Sequence, residues 1–302
     1  MTTPCQYTAA DGTRDVGEVD TSLPGLLKSL YPSQTIPTFG FDFDDAPAII
    51  VPNQSSPSGT RPGPKDPTVR TLERDISAAN EYNPITGATI PITVNMADEN
   101  EETILYMVNA DPNREPTLTL FGDPSFYFQS SCDGTTGTGS LPGCPIQNPD
   151  YAWNHGDIQP EIASTWQGWV GPGIKNLGET SSIWTDHTDA RPTMMTVLGL
   201  HDDYSWDGAA IAQIIGSTDG GWGWGSRGQS ALPWSIRVNE RGYEELAAAY
   251  KQLDAPFGEF GLGTLDADTT ALASGSSSND GDYTATTSQL QACEGRRTTV
   301  AG

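Results

Sequence analysis

The chain has 302 residues, enough for one large or two small domains and for a sizeable hydrophobic core. Its 39 acidic residues against 15 basic ones give a formal charge of −24, which argues against capture of nucleic acid by a basic surface and against docking on anionic lipid. No apolar run reaches the roughly 18 residues a membrane-crossing helix needs, and 33 Gly with 23 Pro point to many turns and long loops.

Taken in order, residues 1–68 read as a loop-rich segment with short strands. The first fifteen residues lack the apolar core of a signal peptide. From Ile36 to Asp45 aromatic residues alternate with acidic or small ones, the pattern of an edge strand with one charged face. Asp42, Asp44 and Asp45 would alternatively offer oxygens to a hard cation. A short apolar strand follows at Ala48–Val51, then turn-and-linker composition from Asn53 to Pro67. Val69–Asn80 has helical spacing, with Leu72, Ile76 and Ala79 on one face, and Asn83–Gly87 breaks it. Asp98–Val108 predicts a second amphipathic helix and Thr117–Phe121 a strand, with Gly122-Asp123-Pro124 at its end. Helix, loop, strand and terminal carboxylate make an αβ unit, and ligands of α/β sheets gather at such strand ends. Asp123 is therefore either an oxygen ligand or a turn-forming Asp before Pro.

Cys132 and Cys144 bracket a flexible loop that a disulfide would usefully close, and without CxxC spacing this reading leads metal ligation. Cys5 and Cys293 either pair or stay free. Disulfide chemistry and an acidic surface suggest an extracellular or cell-surface setting, and with no export signal the frame is expected to begin inside a longer protein. Ser125–Phe128 and Tyr151–Trp153 are aromatic strand-like runs flanking this loop, suited to a hairpin arm or to a packed aromatic core.

Residues 151–208 hold all three histidines, His155, His187 and His201, each within two positions of a carboxylate, Asp157 in the first case. Imidazole beside carboxylate is ligand chemistry for borderline divalent ions such as zinc. Thr165–Val170 reads as a strand ending in Gly171-Pro172-Gly173, and Ala190–Leu200 as a short buried helix with Pro192 near its start and Gly199 near its end. Trp222 and Trp224 lie in DGGWGWG, either a stacking platform or a mobile insertion. Residues 235–302 read as a C-terminal helical appendage, with helices at Tyr243–Leu253, Phe257–Ala273 and Tyr283–Cys293. Between the last two, Asn279-Asp280-Gly281-Asp282 weakly resembles a calcium loop.

His155-Gly156, then Val170-Gly171-Pro172-Gly173, then Thr188-Asp189-Ala190-Arg191-Pro192-Thr193 resemble, in order and spacing, the C-terminal part of the alkaline phosphatase superfamily. The resemblance covers roughly residues 100–210. It implies an α/β fold with an alkaline-phosphatase-like mixed sheet and flanking helices, its core portion at residues 69–234. It also implies that His155, with Asp123 and Asp157, faces a divalent metal, zinc first and calcium or manganese as alternatives. His187 falls where the family often has a structural residue. The chain departs from the family at Asp123-Pro124, where an Asp-His pair is usual, and residues 1–60 offer neither the nucleophile nor the early Asp ligand. The expectation is the C-terminal portion of a metal-dependent phosphoesterase acting on a small phosphate or sulfate ester. The alternative is a non-catalytic exported binding or surface protein with a decayed metal site.

Overall fold

The structure is a computed structural model, and it describes residues 7–8, 14–15, 18–52, 61–108, 111, 114–131, 142–148, 155–200, 203–204, 208–216, 249, 252–253, 255, 257–276 and 279–301. It is a mixed α/β chain with several sheets. Two compact units divide it: Met1–Thr165 with Leu262–Thr298, and Trp166–Gly261 with Thr299–Gly302.

In the first unit, β1 (Tyr7–Thr8) pairs antiparallel with β2 (Arg14–Asp15). The next strand, β3 (Glu18–Ser22), runs directly into helix α1 (Leu23–Leu30). Ser22 caps that helix by accepting from the Gly25 N–H, Pro24 sits in the first turn where no N–H is needed, and Leu23, Leu26 and Leu27 are buried. Two two- or three-residue strands follow, β4 (Gly40–Phe41) and β5 (Ala48–Ile50), then helix α2 (Pro67–Ser77), capped by Asp66. β4 lies at the edge of its sheet, as the alternating aromatic and acidic pattern predicts.

Where the sequence shows only a helix break, the chain makes a hairpin, β6 (Asn80–Asn83) with β7 (Ala88–Pro91), and then strand β8 (Thr93–Asp98). The Asn83 side chain accepts from the Ile85 and Thr86 N–H groups, which folds the turn. Asp98 then caps helix α3 (Glu99–Ile104), and strand β9 (Leu118–Gly122) returns beside β8. The resulting four-stranded sheet has the order β4-β5-β9-β8 with antiparallel pairing throughout. Helix α3 and β9 are present as expected, but both neighbours of β9 run against it, so the αβ unit does not open on a parallel edge.

Strand β10 (Phe126–Gln129) pairs parallel with β3, and β11 (Ile146–Asn148) pairs antiparallel on the other side of β3. Phe126 and Phe128 are fully buried in the main core, the packed-core reading of this aromatic run and not the hairpin arm; Tyr151–Trp153 lie outside the described residues. A short helix α4 (Pro160–Ala163) closes this stretch. Cys144 is disulfide-bonded, Cys293 is a free, half-buried thiol, and Cys132 lies outside the described residues.

Among the described residues of the second unit, helix α5 (Ala190–Leu198) gathers the segments around it. It begins and ends where the sequence says, and Gly199 stops it at φ 65, the left-handed conformation that glycine adopts without a Cβ penalty. It is not a buried helix. Pro192 and Thr193 are buried, while Met194 and Leu198 are exposed. Nor does Thr165–Val170 form a strand; the run is extended without ladder bonds, Trp166 is 84% exposed and Val170 100% exposed. The pairing occurs after the Gly-Pro-Gly turn instead, where Ile174 bridges Ile215 and the Lys175 N–H donates to Ile214 O at 2.8 Å.

Two long helices complete the chain, α6 (Glu259–Ala273) and α7 (Gly281–Ala301). Read as an appendage, they instead supply Leu272 and Tyr283 to the main core of the first unit. Thr269 accepts from the Met96 N–H at 2.9 Å and Asn95 donates to Asp266 at 3.0 Å, so α6 satisfies an edge that β8 would otherwise leave open. The Asp280 turn is no calcium loop. Its carboxylate takes Arg70 at 2.8 Å and Arg74 at 3.2 Å. Most of Tyr243–Leu253, the Trp222–Trp224 segment and His201 lie outside the described residues.

Candidate functional site

The metal candidates fall in one neighbourhood of the first unit. Asp157 is buried; its Oδ1 accepts from the Ile158 N–H at 2.7 Å and its Oδ2 from the Gln159 amide at 2.9 Å. Burial lifts its pKa to about 6 against those two bonds, with help from the charges of Asp44 and Asp123. His155 is exposed, and its neighbour Gly156 packs so that a Cβ there would lie 3.4 Å from the Asp44 carboxylate oxygens. Asp123 Oδ1 accepts from the Ser125 N–H at 3.0 Å, the turn-forming role, and Asp44 Oδ1 accepts from the Asp45 N–H at 2.8 Å. Glu18 joins this acidic region from β3. Burial first, then the charges of Asp45, Asp20 and Asp44, raise its pKa to about 8.

The fold thus brings Asp123, Asp157 and Asp44 within electrostatic reach of each other beside His155. It does not converge them as ligands. Among the described residues, no three His, Cys, Asp or Glu side chains gather as a metal ion requires. Each oxygen of Asp157 already accepts one hydrogen bond from the protein.

The second unit offers a different feature. The extended Gln167–Val170 run, the Gly171-Pro172 turn and α5 enclose a groove of about 570 Å³. Its walls come from Trp169, Val170, Ile174, Met194, Val197 and Leu198, with His187 alongside. The two polar side chains on the extended wall are turned on each other and on the backbone. The Trp169 indole N–H donates to Gln167 Oε1 at 3.2 Å, and the Gln167 amide donates to Asp186 O at 2.8 Å. Apart from His187, what faces the groove is mostly apolar surface, in a volume suited to a small ligand.

Behind the groove, the residues resembling the phosphatase helix do structural work. Asp189 is buried; its Oδ2 accepts from the Asp186 N–H at 3.2 Å and its Oδ1 from the Ala209 N–H at 2.8 Å. Thr193 donates to Asp189 O at 2.7 Å and accepts from the Ile211 N–H at 2.9 Å. One turn of helix thereby ties residues 209–211 to α5. Gly208 makes this possible, because a Cβ there would sit 2.3 Å from the Thr188 carbonyl. His187 stands exposed in a short 3-10 helix, His187–Asp189, that leads into α5.

Sequence reasoning missed a third group, the buried carboxyls Glu73, Asp98, Glu101, Glu102 and Asp268 with Arg70 among them. They are scattered over four elements, and only the helical faces of α2 and α3 carry any sign of them. Compared with family models, with curated proteins and with solved structures, the chain matches none.

Proposed function

We propose that this chain is an exported, non-catalytic binding protein that takes a neutral, largely apolar small molecule into the groove of its second unit. One observation carries the reading: in a chain of net charge −24, the Trp169, Val170, Met194 and Leu198 side chains line a shared groove beside His187, with the Trp169 indole bonded to Gln167 and the Gln167 amide to the Asp186 carbonyl. A neutral ligand suits this setting better than an anion, which the overall charge repels. The disulfide at Cys144 and the acidic surface support export.

Nile red, a neutral apolar dye, tests the reading by fluorescence titration. Saturable binding is expected, reduced at least tenfold by Val170→Glu and by Met194→Glu, with unchanged circular dichroism. Non-saturable binding, or equal binding by both variants, would sink it.

A second reading is the expected one, part of a metal-dependent phosphoesterase with an alkaline-phosphatase-like sheet. The shared neighbourhood of His155, Asp157, Asp123 and Asp44 favours it. The antiparallel run of β5, β9 and β8 weighs against the sheet it needs. Zinc, calcium and manganese titrations by calorimetry separate the two readings. A metal that binds the chain and is lost on His155→Ala revives the phosphoesterase, for which a phosphate or sulfate ester is the substrate class. Heat signals at background for all three metals leave the binding protein.

A further inference from the structure

Helices α6 and α7 meet the sheet of the first unit through acids rather than through apolar surface alone. Asp98, at the end of β8, is fully buried and strongly solvated by the protein: its carboxylate accepts from the Asn100 N–H at 2.8 Å, the Asn100 amide at 3.0 Å and the Tyr283 hydroxyl of α7. It caps α3 as well, so its charge is held at the positive end of a helix. Three further carboxyls, from three different helices, surround this charge. Asp268 of α6, Glu73 of α2 and Glu101 of α3 are all fully buried, and each keeps one oxygen without a hydrogen-bond partner: Oδ1, Oε1 and Oε2 respectively.

Four carboxylates cannot all be ionised in so small a buried space. Of the cations nearby, Arg70 meets Glu73 but is shared among many partners, and Arg74 and Arg297 are turned to other groups. Arg70 reaches Glu73 Oε2 at 2.5 Å, but also Asp280, the carbonyls of Ala271, Leu272 and Ser274, and the face of the Tyr283 ring at 3.8 Å. Arg74 turns to Asp280, and Arg297 to Glu294 and the Ile104 carbonyl. Thr264 of α6 donates to Glu101 Oε1 at 2.8 Å, leaving Oε2 as the open position. A carboxyl with one engaged and one open oxygen, beside a fixed negative charge, is suited to carrying a proton.

We propose that Asp268, Glu73 and Glu101 form a proton-held lock, in which protons on these buried carboxyls keep α6 and α7 docked against the Asp98 end of the sheet. The groups that face Asp268 are Asp98, Glu101 and Glu73, with Tyr283 sharing the Asp98 carboxylate; Glu101 also faces Arg297 and Glu294, and Glu73 faces Arg70 and Arg74. The direction of each shift agrees with the geometry: burial and then Asp98 raise Asp268 to about 9 and Glu73 to about 8, and burial raises Glu101 to about 7. As pH climbs through that range, the lock loses its protons, and repulsion from Asp98 favours release of the helix pair. Each proton released on opening makes the opening equilibrium about tenfold more favourable per pH unit.

Hydrogen exchange followed by mass spectrometry, corrected for the intrinsic pH dependence of amide exchange, reads this out on the full chain. Protection of α6 and α7, and of the Met96 and Asp98 amides of β8 that α6 covers, is expected to fall steeply between about pH 6 and about pH 9, while β9, paired on both sides, stays protected. Asp268→Asn, an isostere of the protonated acid, is expected to flatten that fall, and Glu101→Gln to flatten it in part. A wild-type profile without pH dependence in the two helices overturns the lock, as does a fall that is unchanged in both variants. So does protection at pH 9 that depends on millimolar calcium, because the carboxyls would then hold a cation and not protons.

Discussion

In the first unit of this chain, the charged side chains of Arg70, Glu73, Asp98 and Asp268 lie buried beside a core of Leu23, Leu72, Ile76, Phe126 and Phe128. In the second, among the described residues, Asp189 lies buried while Trp166, Val170, Met194 and Leu198 face solvent. Both arrangements draw on the same acidic, glycine-rich composition. What differs is the range of the bonds. Arg70 joins residues some two hundred positions away in sequence, whereas Asp189 gathers backbone from Asp186 and Ala209. Long-range ion pairs accompany a sealed core in the first unit, and in the described part of the second, bonds of shorter range lie beside an open apolar groove.

The sharpest way to break this contrast is at Arg70. Arg70→Met leaves the Glu73 carboxyl without its donor and Asp280 with Arg74 alone, strips three carbonyls of α6 and the turn after it of a donor, and removes the stack on Tyr283. Breaking a buried pair from one side costs about 3–5 kcal/mol. Urea unfolding followed by far-UV circular dichroism is expected to show a loss of that order, with α6 and α7 lost first. A loss below 1 kcal/mol would mean the ion pair is incidental to closure.

Next in size is the response to pH, which belongs to the first unit. Glu18, Glu73, Glu101, Glu102, Asp157 and Asp268 all have folded pKa values raised to between about 6 and about 9, with burial as the first cause in each. Their unfolded values are the ordinary 4.5 and 3.8. Between those limits the folded chain binds more protons than the unfolded one, so stability falls with rising pH. It is fully present below about pH 4 and lost as pH passes through the raised values. Thermal midpoints are therefore expected to be higher at about pH 5 than at about pH 8.5. The opposite slope would show that these carboxylates are ionised and compensated in the fold.

How much of this was legible in the sequence follows from the same distinction of range. Local signals held: the helices at Pro67–Ser77 and Glu99–Ile104, the start of α5 and its stop at Gly199, the strand at Ala48–Ile50 and the edge position of β4 sit close to where spacing and turn chemistry place them. The helix at Leu23–Leu30 was legible too, since Ser22 before a Pro-bearing first turn and Leu at positions 23, 26, 27 and 30 mark it, yet the glycine- and proline-rich surroundings masked it as loop. Pairing was not legible. Nothing local tells Phe126–Gln129 to run parallel to β3, or tells Thr165–Val170, with its strand-like composition, to go unpaired. For the candidate site, Asp157 and Asp123 were named and do share a neighbourhood, but Asp268 gave no sign and Glu73 and Glu101 gave only their place on a helical face, because composition alone does not tell a buried carboxyl from a solvated one.

A smaller effect sharpens the comparison from the other side. Asp189→Ala removes the acceptor of the Asp186 and Ala209 N–H groups, at a cost of about 1–3 kcal/mol where the donors stay buried. Limited proteolysis is expected to cut near residue 209 in the variant while the first unit stays intact. Cleavage of both units at the same rate would show that they do not unfold separately.

The smallest expected effect on stability is at Val170, and it decides what the exposed surface is for. Its side chain is 100% exposed, so Val170→Ser removes no burial, and the change in unfolding free energy is expected within about 0.5 kcal/mol. A valine kept on the wall of a groove for ligand rather than for packing should nonetheless matter to Nile red, whose affinity is expected to drop severalfold. If stability falls by more than about 1 kcal/mol instead, Val170 is covered in solution by protein, and the second unit resembles the first in sealing its apolar surface after all.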